Sequence, residues 1–160
     1  MDFTRKVRWR WVKNRHKTAD PEGFNYADVV SRESVRIAFT YAALSDLDIW
    51  ACDIQNAYIQ APTSTSEKHY IICGPEFGDH VGKQALIRRA LYYGGKCTGC
   101  DYWIHLRSCM QFLGLTTCKA DGGVWMREVK RSDGTVLGIY ILLYVKDCLC
   151  ITGKNSRFIF

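Results

Sequence analysis

No stretch of the chain comes near the roughly 18 consecutive apolar residues of a membrane-spanning helix, and the basic start is not followed by the apolar core of a secretory signal. These two absences lead us to expect an intracellular, cytoplasmic setting that is reducing, with no membrane partner. Internal repeats and low-complexity tracts are lacking too, which excludes repeat architectures. A disulfide framework is not expected in such a compartment, so the eight cysteines (Cys52, Cys73, Cys97, Cys100, Cys109, Cys118, Cys148 and Cys150) read as free thiols, most of which fill the core.

What the chain does have suits one folded domain: 160 residues, 48% hydrophobic and 13% aromatic. Its net charge of +6 is carried by residues 1–17, where Arg5, Lys6, Arg8, Arg10, Lys13, Arg15 and Lys17 face only Asp2. The remainder is balanced. Interleaved with Trp9 and Trp11, this segment could hold phosphates while its aromatic faces stack on bases; a solvated basic arm is the competing reading.

Ser31 is a helix N-cap with Glu33 in the first turn, and Val35, Ile37, Ala38, Phe39, Tyr41, Ala42 and Leu44 predict a helix that buries more than one face and ends near Ser45-Asp46. Leu47 to Ile54 reads as a central, largely buried strand with Ile49, Ala51 and Asp53 on one face. Strands are expected at His69 to Cys73 and Ala85 to Ala90. Trp103, Leu106, Met110 and Leu113 then fall at helical spacing, with Gly114 as the stop. Val124 to Val129, a turn at Ser132-Asp133-Gly134, and Val136 to Val145 form a hairpin, and a second tight turn at Lys146-Asp147 leads into Cys148-Leu149-Cys150-Ile151. The pattern is α+β, with the Leu47–Ile54 strand and the last turn each presenting an Asp.

Carboxylates at rigid strand ends suit divalent cations, because Mg²⁺ takes hard oxygen ligands while keeping positions open for phosphate. Two such ions about 4 Å apart serve in-line phosphoryl transfer. Here Asp53-Ile54-Gln55-Asn56-Ala57-Tyr58 places an aromatic five residues after the Asp, and the turn reads Tyr144-Val145-Lys146-Asp147.

In these motifs the chain resembles the reverse transcriptase domain of copia-type (Ty1/copia, pseudoviral) LTR retrotransposons, whose blocks read D-V-x-x-A-F/Y and Y-V-D-D. Supporting stretches are Val29 to Ile37, Gly74-Pro75-Glu76-Phe77-Gly78, Leu91-Tyr92 with Trp103, Lys119-Ala120-Asp121 with Val124-Trp125, and Leu142-Leu143-Tyr144-Val145. The resemblance implies the fingers-and-palm portion of a right-hand polymerase, an antiparallel palm sheet packed on helices. About 1–45 would be a fingers-like arm and helix and about 46–160 the palm with interleaved fingers segments. Thumb and RNase H are expected to be absent, since the chain stops at Phe160.

The implied ancestral activity is RNA-directed DNA synthesis with Mg²⁺ as cofactor and RNA template, DNA primer and deoxynucleotides as partners. Asp53 and Asp147 match metal-binding carboxylates. Tyr58 matches the aromatic that excludes a ribose 2′-hydroxyl. Arg10 matches a fingers Arg on the incoming triphosphate, with Arg8-Trp9 offering a competing register.

The chain departs from the family at Lys146, where a metal-binding Asp is expected, a local change of two charge units. The expectation is therefore an inactive enzyme in which Lys146 pairs with Asp53 in place of the ion. Around Tyr93 to Cys100 the family block is also altered. Three alternatives remain beside this reading: a zinc knuckle from Cys97, Cys100, His105 and Cys109, whose spacing is one residue short; a non-catalytic nucleic-acid binder; and a decayed element with no selected function.

Overall fold

Ser31 caps the first helix as its residue type predicts. Its Oγ accepts from the Ser34 N–H at 3.1 Å, and α1 runs Arg32–Leu44. The computed structural model describes residues 27–62, 69–87, 98–130 and 134–154. The basic segment 1–17, Arg10 within it, Cys97 and Ser132-Asp133 lie outside the described residues.

At its other end α1 stops in a Schellman arrangement. The Leu47 N–H reaches the Ala42 carbonyl at 2.9 Å, and Asp46 takes the left-handed conformation at φ +51°. An Asp tolerates that region better than most residues, and its carboxylate also pairs with the Lys154 ammonium. The reversal sends the chain directly into β1 (Asp48–Asp53). Asn56, at φ +54°, turns it again into the short α2 (Ala57–Gln60).

The later strands form a meander: β4 (Thr116–Thr117), β5 (Val124–Lys130), β6 (Val136–Tyr144) and β7 (Asp147–Thr152). β1 joins β7, giving a five-stranded antiparallel sheet in the order β1-β7-β6-β5-β4. A smaller antiparallel pair consists of β2 (His69–Ile72) and β3 (Gln84–Ile87), bridged by a 3₁₀ segment at Pro75–His80. Two compact units divide the chain. Tyr26–Ala57 with Trp103–Phe160 holds the large sheet, and Met1–Asn25 with Tyr58–Tyr102 holds the β2–β3 pair.

One face of the large sheet packs on α1. Val30, Ala42, Leu142 and Ile151 are buried there, with Val35, Ala38, Leu47, Val124, Tyr140 and Leu149 around them. The opposite face carries Trp125, Ile141, Leu143, Cys148 and Cys150, all buried, because cross-strand partners share a side. On that side the Arg127 guanidinium donates to the Leu113 carbonyl at 2.5 Å, fastening β5 to the end of α3 (Thr98–Phe112). Gly114, at φ +75°, completes a second Schellman end, with Leu115 N–H on the Met110 carbonyl at 3.0 Å. Gly114 is thus the stop that its position predicts.

Three expectations need correction. β1 is the edge of the sheet among the described residues, not a central buried strand. Trp50 is 58% exposed and Ile49 40%. α1 buries one stripe rather than more than one face, leaving Ile37 at 70% and Leu44 at 84% exposure. The last turn is the two-residue loop Val145-Lys146, with Asp147 already the first residue of β7. Apolar residues in a short run do not reveal which side of a strand or helix meets a neighbour.

Asp121 ties these parts together. Its Oδ2 accepts from the Ser31 N–H at 2.9 Å and the Ser34 hydroxyl at 2.6 Å, and its Oδ1 accepts from the Gly123 N–H at 2.9 Å. Gly123 is needed at that point, since a Cβ there would overlap the backbone of Val29 and Val30. The close approach lets the Val30 N–H reach the Leu143 carbonyl at 2.9 Å and the Leu143 N–H reach the Gly123 carbonyl at 2.8 Å. Burial raises the Asp121 pKa, but the hydrogen bonds from Ser34, Ser31 and Gly123 outweigh it and leave the carboxyl below its ordinary 3.8.

A lowered folded pKa means that the ionised group stabilises the fold above its unfolded value, and that this contribution disappears as pH falls through the folded one. Asp121→Ala should therefore cost about 2–4 kcal/mol in urea unfolding at pH 7, since three charge-assisted hydrogen bonds go at once. The difference from the unmodified chain should narrow below pH 4. An equal loss at pH 7 and pH 3 would show that the carboxylate charge is not what holds α1 to the sheet.

Candidate functional site

The register of β1 against β7 sets Asp53 directly opposite Asp147. Beyond the pair, the Ile54 N–H donates to the Lys146 carbonyl at 2.9 Å. Hydrogen-bonded and non-hydrogen-bonded pairs alternate along an antiparallel ladder, so Asp53–Asp147 falls at a non-hydrogen-bonded position, where Cα atoms come within about 4.5 Å. Two carboxylates so placed repel one another.

Lys146 answers that repulsion. Its ammonium contacts Asp53 Oδ1 and lies 3.5 Å from Asp147 Oδ1. All three side chains are half-exposed or more. The hydrogen bond to Asp53 raises the Lys146 pKa above its ordinary 10.5, outweighing the opposing effect of desolvation with help from the Asp147 charge. A raised folded value keeps the ammonium charged through neutral pH, and the link dissolves only as pH climbs past that range.

The turn that presents Lys146 is strained. Two-residue hairpin loops favour positive φ at their first position, where Gly, Asn or Asp is usual. Here Val145 occupies it at φ +56°, a conformation that a β-branched residue resists. The strand pairings on both sides of β7 hold it there.

No family model matches the chain, no curated protein matches it, and no solved structure matches it.

Of the residues singled out in the sequence, the fold brings Asp53, Lys146 and Asp147 together. Tyr58 belongs to the other compact unit, on α2, with its ring 5.3 Å from that of Tyr102 and tilted by 51°. Among the zinc candidates, His105 Nε2 and Cys109 Sγ are 3.8 Å apart one turn along α3, while Cys100 is buried. No group of three His, Cys, Asp or Glu side chains suited to a metal ion occurs among the described residues.

Two features of the fold go beyond what the sequence alone indicates. Asp121 was visible only as part of a resemblance, although an Asp followed by Gly122-Gly123 before a strand is a turn signal in its own right. The other is a group of thiols. Cys52 lies opposite Cys148 on the face of the sheet away from the carboxylates, with Cys150 two residues further along the same side. Cys52 is exposed, whereas Cys148 and Cys150 are buried. Burial, reinforced by the neighbouring Cys52, pushes the Cys148 thiol well up and that of Cys150 up to about 12.

Relief of turn strain gives a test of this geometry. Val145→Gly should leave stability within about 1 kcal/mol of the unmodified chain, because about 1–2 kcal/mol of left-handed strain is removed against about 0.5–1 kcal/mol of glycine entropy. Val129→Gly, in the extended backbone of β5, should cost at least about 1 kcal/mol more. Comparable losses for both in urea unfolding would mean that Val145 is not strained.

Proposed function

We propose that this chain is the fingers-and-palm portion of a copia-type reverse transcriptase that no longer catalyses nucleotidyl transfer and retains nucleic-acid binding. The observation that carries the reading is the Asp53–Lys146–Asp147 arrangement: two carboxylates at facing strand ends, with an ammonium between them.

Strand-end carboxylates of this kind suit a hard divalent cation. The residues present do not fit one. Lys146 already supplies positive charge to both carboxylates, and a second cation at that point would meet an ammonium rather than a third oxygen donor. No catalytic step through Mg²⁺ is assigned to this chain.

Binding of template or primer rests instead on the seven basic residues of segment 1–17, which neutralise phosphates whatever the base sequence. Arg10 toward a triphosphate and Tyr58 toward a ribose remain parts of the proposal by their place in the motifs.

Primer extension on an RNA template, run with Mg²⁺ and with Mn²⁺, should give no product from the unmodified chain. Lys146→Asp should bind a divalent cation in calorimetry where the parent does not, with a urea midpoint only slightly lowered in the absence of the cation, because the added repulsion falls on side chains that are half-exposed or more. Incorporation by the unmodified chain refutes the loss of catalysis. Failure of the folded variant to gain metal binding refutes the reading of Asp53 and Asp147 as a former metal pair.

A further inference from the structure

The thiols beside the carboxylate pair offer a chemistry that the polymerase reading does not use. Cys52 and Cys148 are direct cross-strand partners on β1 and β7. Since Asp53–Asp147 is a non-hydrogen-bonded pair, the next pair along the ladder, Cys52–Cys148, is a hydrogen-bonded one, with Cα atoms about 5.5 Å apart. That separation lies inside the 4.4–6.8 Å range usual between the Cα atoms of a disulfide. Cys150 is diagonal to Cys52, where Cα separations run to about 7–8 Å, outside that range.

Access differs as well. Cys52 stands on the exposed edge strand, whereas Cys148 and Cys150 are buried. An oxidant from solvent therefore meets Cys52 before either of them, and although Cys150 also contacts Cys52, it is Cys148 that stands directly across the ladder from it. A shared metal ion is not the better account, because these three side chains do not form a group suited to one.

We propose that Cys52 and Cys148 form a reversible cross-strand disulfide when the chain meets a hydroperoxide. In the first step the Cys52 sulfur attacks the O–O bond of hydrogen peroxide. An S–O bond forms, the O–O bond breaks, and the thiol proton leaves on the departing oxygen as water. Cys52 is thereby oxidised by two electrons to a sulfenic acid and the peroxide is reduced. In the second step the Cys148 sulfur attacks that of Cys52. The S–S bond forms, the S–O bond breaks, and the hydroxyl departs with the Cys148 proton as a second water. Two thiols and one peroxide give one disulfide and two waters.

The link would join the edge strand to β7 one residue beyond Asp53 and Asp147, on the opposite face of the sheet. It makes covalent the pairing that now depends on ladder hydrogen bonds alone at that point.

The test treats the full chain at low concentration with hydrogen peroxide, blocks remaining thiols, and maps a non-reducing digest by mass spectrometry. A peptide joining Cys52 to Cys148, with the loss of two hydrogens and full reversal by dithiothreitol, is expected. The joined peptide should vanish in Cys52→Ser and persist in Cys150→Ala. In Cys148→Ala, dimedone should trap the sulfenic acid on Cys52. Should Cys148→Ala fail to fold, the maps of the other two variants decide the matter. A main link from Cys52 to Cys150, a link between two chains, or Cys52 carried to the sulfonic acid without any link would each overturn the proposal.

Discussion

A slip of one residue between β1 and β7 would turn Asp53 to the other face of the sheet, and nothing described at the site would survive it. The register is therefore the constraint on which the structure rests, and it is held at both ends. At the turn end the Ile54 N–H is bonded to the Lys146 carbonyl at 2.9 Å. At the far end the Schellman reversal at Asp46 starts β1 at a fixed point, and the Lys154 ammonium beyond β7 pairs with the Asp46 carboxylate. Between them Leu149 and Ile151 face the α1 core, a side that a slip would exchange for that of Cys148 and Cys150.

The same register decides the electrostatics. Placing Asp53 and Asp147 at a non-hydrogen-bonded pair brings two like charges to the closest approach that a sheet allows. A cation beside such a pair relieves the repulsion. In this chain the cation is part of the polypeptide, delivered by the residue adjacent to Asp147 in the hairpin loop. Because the three side chains remain at least half-exposed, the arrangement contributes little to stability. Its consequence is positional: the space between two strand-end carboxylates is filled by an ammonium.

How much of this was legible in the sequence depended on whether the signal was local. Ser31 as a cap, Gly114 as a stop and the strands of the β5–β6–β7 meander follow from residues near one another in the chain and form where expected, while the last turn falls one residue earlier. The Lys146–Asp53 contact was anticipated from the resemblance of two short motifs, although 93 positions separate its partners. By contrast, the exposure of β1 could not be read from Leu47 to Ile54, since an apolar run looks the same at an edge as at the centre of a sheet. The clamp at Asp121 was equally hidden, because its partners Ser31 and Ser34 lie about 90 residues away and become neighbours only once α1 is laid on the sheet.

Backbone and charge are separable at the hairpin loop. Val145 is held at positive φ by the pairing of β6 and β7, which is set by Leu142, Leu143, Cys148 and Leu149 rather than by the side chain at 146. The loop direction is therefore independent of whether residue 146 carries an ammonium or a carboxylate. A charge change there alters what the two aspartates can hold while leaving their spacing to the β1–β7 ladder. A change of charge at residue 146 thus needs no change of backbone, and the strain at Val145 persists as a feature of the turn.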